Sequence, residues 1–208
     1  MKSYFLYLIL FLLFSLLFII PTIWSYNPSI LLNTKYENIS DLKIENIKEP
    51  SLFICTHDLF PNYDQIIMLT EILKNKRKFN IVSGISKDWY NEFFKSLPIF
   101  AKYNLLRVGE KKENIVNKSK NIINEKKENI LMFLTSNSKK KGIYYILKDL
   151  KIPIIFVKIH NKDIENKKYN NNVEFGREFK IEYKRIENYE IEEDPEKFME
   201  FIKNELYN

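Results

Sequence analysis

Leu52-Phe53-Ile54-Cys55-Thr56-His57-Asp58-Leu59-Phe60-Pro61-Asn62-Tyr63-Asp64-Gln65 begins as an apolar run and ends as the start of a helix, with a histidine at the change-over. The run at 52–55 reads as a strand buried on both faces. Pro61 is acceptable as the first residue of a following helix whose apolar positions include Ile66, Ile67 and Leu73. A histidine at the carboxyl end of such a strand, with a carboxylate close behind, is how an α/β fold presents a general base and its orienting acid. His57 and His160 are the only histidines, so proton transfer near neutral pH has few candidates.

Beyond this stretch, short apolar runs alternate with helical patterns. Strands are expected at 80–82, 105–108, 130–133 and 154–159. Helices are expected at 86–97, where Ser86 can cap and Pro98 closes, at 114–127 with Ile115, Val116, Ile122 and Ile123 on one face, and at 144–150. Strands separated by helices of this length imply an α/β fold: a mixed, largely parallel sheet flanked by helices. The tail differs, with extended alternating segments at 173–186 and a last helix opened by Asp194-Pro195-Glu196 that stripes Phe198, Met199, Ile202 and Leu206.

At 208 residues the chain is long enough for one good core, not two. Its expected division is a membrane anchor at 1–26, a linker at 27–50 and one domain at 51–208. From Tyr4 to Trp24 there is no charge, about 21 residues rich in Leu, Ile and Phe, enough for a helix to cross a bilayer core. Tyr4, Tyr7, Trp24 and Tyr26 lie near its ends, where amphipathic rings favour the interface. Pro21-Thr22-Ile23-Trp24 follows the apolar run instead of the small residues of a cleavage site, so an uncleaved anchor is expected, either single-pass or dipping into one leaflet at Pro21.

The net charge of +6 is unevenly placed: residues 71–168 carry 23 basic and 10 acidic side chains. That excess suits phosphate-bearing ligands or anionic lipid headgroups and places the domain on the cytosolic side of its membrane. No nucleic-acid-binding motif accompanies it, so no nucleic-acid partner is expected. Cys55, the single cysteine, excludes an internal disulfide and a cysteine-built zinc site, and inside an apolar run it reads as a buried thiol. No carboxylate–histidine cluster has metal-ligand spacing and the four glycines are scattered, so neither a metal nor a nucleotide loop is expected.

In this order the pieces resemble the glycerolipid acyltransferase family, the phosphatidic-acid-forming enzymes that acylate 1-acylglycerol 3-phosphate. The resemblance covers residue 52 to the C-terminus. That family's four blocks are a strand ending in His with Asp five positions later, a Gly-containing strand leading to Arg, a Phe-Pro-Glu-Gly-Thr-Arg-like turn after a strand, and an Ile-Pro-Ile-like strand. Here they correspond to Thr56-His57-Asp58-Leu59-Phe60-Pro61-Asn62-Tyr63-Asp64, Tyr103-Asn104-Leu105-Leu106-Arg107-Val108, Phe133-Leu134-Thr135-Ser136-Asn137-Ser138-Lys139-Lys140-Lys141 and Lys151-Ile152-Pro153-Ile154-Ile155-Phe156-Val157. Order and spacing match better than identity.

The resemblance implies a membrane-anchored enzyme that moves an acyl chain from acyl-CoA or an acyl carrier protein to a lysophospholipid hydroxyl, with no cofactor. His57 would be the general base. Its orienting partner is open among Asp64, Asn62 and Asp58: strict spacing selects Asn62, an amide that can hold the ring but cannot stabilise an imidazolium, and Asp64 takes the role if the intervening turn bulges. Arg107 with Thr135, Ser136, Asn137, Ser138 and Lys139 would hold the acceptor's phosphate through hydroxyls, backbone N–H groups and charge. Two other readings stay open: a lapsed member of the fold that binds lipid or a partner at the membrane without turnover, and an unrelated basic module at the membrane surface. For the single residues, the plain alternatives are a hydrogen-bonded loop histidine at 57, an ordinary polar turn at 135–138, an Arg107 paired with Glu110, and a solvated strand-end histidine at 160.

Overall fold

All five residues of Leu52–Thr56, strand β2, are buried. Its side chains divide between the two sides of the sheet, Phe53 and Cys55 joining one apolar cluster and Leu52 and Ile54 the other, as a strand covered on both faces requires. The structure is a computed structural model that describes residues 35–57, 63–75, 77–83, 103–107, 112–139, 141–161 and 178–208. The expected membrane segment at 4–24, the 86–97 helix and the extended residues at 173–177 lie outside these. Among the described residues no helix is long and apolar enough to cross a membrane.

The described strands are β1 (Lys35–Asn38), β2, β3 (Phe79–Ser83), β4 (Tyr103–Arg107), β5 (Asn129–Leu134), β6 (Ile154–Asn161) and β7 (Glu178–Ile186). They form one sheet in the order β1-β7-β6-β2-β5-β3-β4. Every neighbouring pair is parallel except β6 with β7, so the sheet is mixed and mostly parallel. β2 sits centrally, with Leu52 opposite Ile130 of β5 on one side and Ile154 of β6 on the other.

Helices cover both faces. On the first face, α1 (Tyr63–Lys74) buries Ile67, Met68 and Ile72 over Phe53, Phe79 and Ile155. On the second lie α2 (Lys112–Asn121), α3 (Gly142–Leu147) and α4 (Pro195–Tyr207), the last burying Phe198, Ile202 and Leu206 completely. α4 starts as its sequence requires: Pro195 stands at its beginning and the Asp194 carboxylate accepts the Glu196 N–H at 2.8 Å.

Two expectations need correction. The second half of the expected 27–50 linker belongs to the domain: Lys35–Asn38 pairs in parallel with β7, and Ile44 and Ile47 are buried in the core under α1. An edge strand of four residues, alternately exposed and half-buried, carries too little apolar signal to announce itself. The helix expected at 114–127 starts at Lys112 and leaves α geometry at Ile122, continuing as a single π-helical turn to Lys126. It closes on Lys127, whose φ of 55° lets its N–H reach the Ile122 carbonyl.

A candidate acid-base site at the carboxyl edge of the sheet

β2 ends at Thr56, so His57 is the first residue past the strand, at the edge where parallel neighbours also end. The Thr56 hydroxyl accepts the Ile159 N–H at 3.3 Å, which ties the end of β2 to β6 just before the histidine. The Phe133 ring of β5 lies 5.4 Å from the imidazole centroid, tilted 50° to it. The histidine side chain is thus held by packing yet remains 29% exposed.

Asp64 enters from α1. It lies on the helix face that also carries Ile67, Met68 and Ile72, and it is fully buried. One carboxylate oxygen, Oδ1, accepts the Gln65 N–H at 2.8 Å, and the other, Oδ2, lies 2.9 Å from His57 Nδ1. A position in the first turn of a helix, where the backbone dipole favours negative charge, suits a carboxylate far from bulk water. Because an ionised carboxylate can only accept, the shared hydrogen belongs to Nδ1, which leaves Nε2 as the basic atom of the neutral ring. Of the three partners left open by spacing, Asp64 makes the contact, and Asn62 and Asp58 lie outside the described residues.

Cys55 shares the Asp64 side of β2 but is completely buried among Phe53, Ile67 and Val157. Burial pushes its thiol well above the usual range, and the nearby Asp64 charge pushes it further in the same direction. Such a thiol stays protonated and is no nucleophile.

The register places the other expected site residues. Thr135 follows Leu134, which stands opposite Thr56, so the 135–138 turn leaves the sheet one strand spacing from His57. Within the turn the Ser138 N–H donates to the Thr135 carbonyl at 3.0 Å, and the Thr135 hydroxyl donates to Asn137 Oδ1 at 3.0 Å. Ser136, Asn137 and Lys139 are exposed. Lys141 is bound at 2.7 Å to Glu196 of α4. The Arg107 backbone ends β4 opposite Ser83, on the same edge as His57 but with β3 and β5 between β4 and β2. Three spacings of about 4.8 Å put it about 14 Å away. The structure therefore brings His57, Asp64 and the 135–138 turn together and leaves Arg107 across the edge.

His160, at the outer part of β6, is half exposed, and its Nε2 lies 3.5 Å from Glu182 on β7. A second group of ionisable residues was not apparent from the sequence. Glu71, buried one helical repeat beyond Asp64, accepts the Tyr183 hydroxyl at 3.0 Å and also engages Tyr36. Its signal in the sequence is a second acid on the helix face that carries Asp64 with Ile67, Met68 and Ile72. Among the described residues no three His, Cys, Asp or Glu side chains are grouped to hold a metal. A cleft of about 380 Å³ near Tyr189, Glu192, Phe198 and Phe201 is lined by neither His57 nor Asp64.

No family model matches the chain, and no curated protein matches it. A solved structure similar to it is the crystal structure of the 1-acyl-sn-glycerophosphate (LPA) acyltransferase PlsC from Thermotoga maritima. That likeness has a TM-score of 0.49 and 13% identity, over 89% of this chain and 76% of that one.

Proposed function

We propose that the protein is an acyltransferase that esterifies a hydroxyl of a lysophospholipid such as 1-acylglycerol 3-phosphate. The observation that carries this reading is the 2.9 Å contact between His57 and the buried Asp64, at the strand end where the first block of the resemblance lies. In the reaction Nε2 of His57 takes the proton of the acceptor hydroxyl as its oxygen attacks the carbonyl of an acyl thioester. The tetrahedral adduct then expels the thiolate, and the imidazolium returns the proton to sulfur. Asp64 keeps the ring oriented and stabilises its positive charge while the proton is held.

The 135–138 turn, one strand away, receives the acceptor's phosphate, with Lys139 supplying charge and Arg107, at the end of β4 two strands beyond the turn, adding positive charge to that edge. The acyl donor is acyl-CoA or an acyl carrier protein. The uncharged segment at 4–24 holds the domain at a membrane, on its cytosolic side, where lysolipid is delivered.

The competing reading is a lapsed relative that binds lipid without turnover. It is favoured by the turn at 135–138, which lacks an acid and an arginine. The paired, partly exposed imidazole favours turnover. The test is acyl transfer by the purified full chain in detergent, with lysophosphatidic acid and a long-chain acyl-CoA. Loss of activity in His57→Ala, by about 10²–10⁴, is the expected result. Unchanged activity would remove His57 from the mechanism, and no transfer by the wild type to any of several acceptors would favour the binding protein.

A further inference from the structure

α4 touches the 134–141 segment at both of its ends. At the carboxyl end of the helix the Tyr207 hydroxyl donates to the Leu134 carbonyl, the last residue of β5. At the amino end Glu196 holds Lys141, the residue just before α3. Eleven residue steps of about 1.5 Å separate Glu196 from Tyr207, so the two attachments are about 16 Å apart along one rigid rod. Phe198, Ile202 and Leu206, all fully buried, seat that rod on the sheet between them. A third link, from the Tyr144 hydroxyl to the Glu193 carbonyl at 3.1 Å, fastens α3 to the start of α4.

The segment so bracketed is the turn that leaves the sheet beside His57. Its internal bonds include those donated by the Ser138 N–H and the Thr135 hydroxyl. Leu134 also stands opposite Thr56, one residue before the histidine, so a shift of the β5 end changes the distance from turn to base. An exposed ion pair such as Lys141–Glu196 is weak alone, whereas the half-buried Tyr207 bond sits against packed strands.

We propose that α4 is a clamp that sets the shape of the 135–139 turn, and that Tyr207 and Glu196 are positioning residues for the acceptor's phosphate. Neither touches the reacting atoms. The sequence gives this helix the look of a plain amphipathic cover, but its two polar ends hold the loop that must meet the substrate. The assignment of phosphate to the turn rests on the acyltransferase reading above, and the clamp itself does not.

The test uses the full chain in detergent, comparing Tyr207→Phe and Glu196→Gln with wild type. Amide hydrogen exchange across 135–139 is expected to quicken by about tenfold in Tyr207→Phe and less in Glu196→Gln, with 198–202 unchanged. The acceptor KM is expected to rise by about tenfold with the acyl-donor KM within about twofold. Unchanged exchange at 135–139 in Tyr207→Phe overturns the clamp whatever the activity. Faster exchange with an unaltered acceptor KM overturns the phosphate-positioning role. If the wild type proves inactive, the dissociation constant for glycerol 3-phosphate replaces KM: about tenfold weaker binding in Tyr207→Phe supports the role, and equal or absent binding overturns it. Should Tyr207→Phe destabilise the whole domain, the exposed Glu196→Gln decides: faster exchange at 135–139 supports the clamp, and no change overturns it.

Discussion

Asp64 Oδ2 lies 2.9 Å from His57 Nδ1, and the acid is fully buried where the histidine is partly exposed. The carboxylate is therefore shielded from water on every side except the one the imidazole closes. Asp64→Asn keeps an oxygen that can accept from Nδ1, so the ring stays placed, but the charge that steadies an imidazolium is gone. The expected result is a folded protein whose kcat for the proposed acyl transfer falls by about 10³–10⁴, by analogy with the same exchange in a serine protease. A variant within tenfold of wild type, with circular dichroism unchanged, would show that Asp64 is structural only.

Cys55 is the one thiol in the chain and it is completely buried. Native protein at pH 8 is expected to react with a thiol reagent such as dithionitrobenzoate at least ~10³-fold more slowly than the unfolded chain, because reaction needs an opening of the core. Unfolding in guanidinium should release one equivalent. Fast native labelling would contradict both the burial and the protonated state.

The central strand and the order of elements were readable because β2, β5 and β6 are apolar runs that must be covered on two faces. The choice among Asp58, Asn62 and Asp64 was not readable. It depends on how α1 is set against β2, and the helix places residue 64 on its inner face, beside Ile67 and Met68. Apolar periodicity shows which face is inward but says nothing of the loop before it. β1 was missed for the opposite reason: Lys35, Glu37 and Asn38 look solvated, and only its pairing with β7 makes the segment a strand. The tyrosine bonds to Glu71 and Leu134 join residues 112 and 73 positions apart, separations at which local pattern carries no signal.

Alkaline pH is expected to weaken the fold through two buried acids that are neutral when folded. In the unfolded chain the Cys55 thiol ionises near 9.0 and the Tyr183 phenol near 10.0, whereas burial raises both in the folded protein, the Glu71 charge adding to the effect on Tyr183. The unfolded chain therefore loses protons first. Stability is present in full below about pH 9 and falls as pH rises above it, by up to ~1.4 kcal/mol per pH unit for each group. Guanidinium midpoints between pH 8 and 11 measure this, and Tyr183→Phe should flatten the part above pH 10. A midpoint constant to pH 11 would mean that these groups ionise as easily folded as unfolded.

Tyr183→Phe has a second consequence at neutral pH. The Tyr183 hydroxyl is one of the donors to a carboxylate that is almost wholly out of water, and phenylalanine removes it without leaving a cavity. A buried acceptor that loses a partner costs about 1–3 kcal/mol, more for a charged group. The destabilisation should be smaller in the double variant Tyr183→Phe, Glu71→Gln relative to Glu71→Gln alone, since the acceptor that loses the donor is then a neutral amide and not a charge. Equal costs in both backgrounds would show that the contribution of the Tyr183 hydroxyl does not depend on the charge of Glu71.

The start of α4 separates local helix stability from the chemistry proposed at His57. Asp194 accepts the Glu196 N–H at 2.8 Å, and Pro195 fills the first helical position, where no N–H is needed. Asp194→Ala leaves that donor without its partner and removes a negative charge from the positive end of the helix, at a cost of about 1 kcal/mol. Asp194→Asn keeps an acceptor and should recover most of the loss. Because the cap lies at the end of α4 that holds Lys141, the unfolding midpoint should move while the loss of acyl transfer stays below about threefold. Loss of transfer comparable to that of Asp64→Asn, without a fall in midpoint, would place Asp194 in the chemistry and not in the cap.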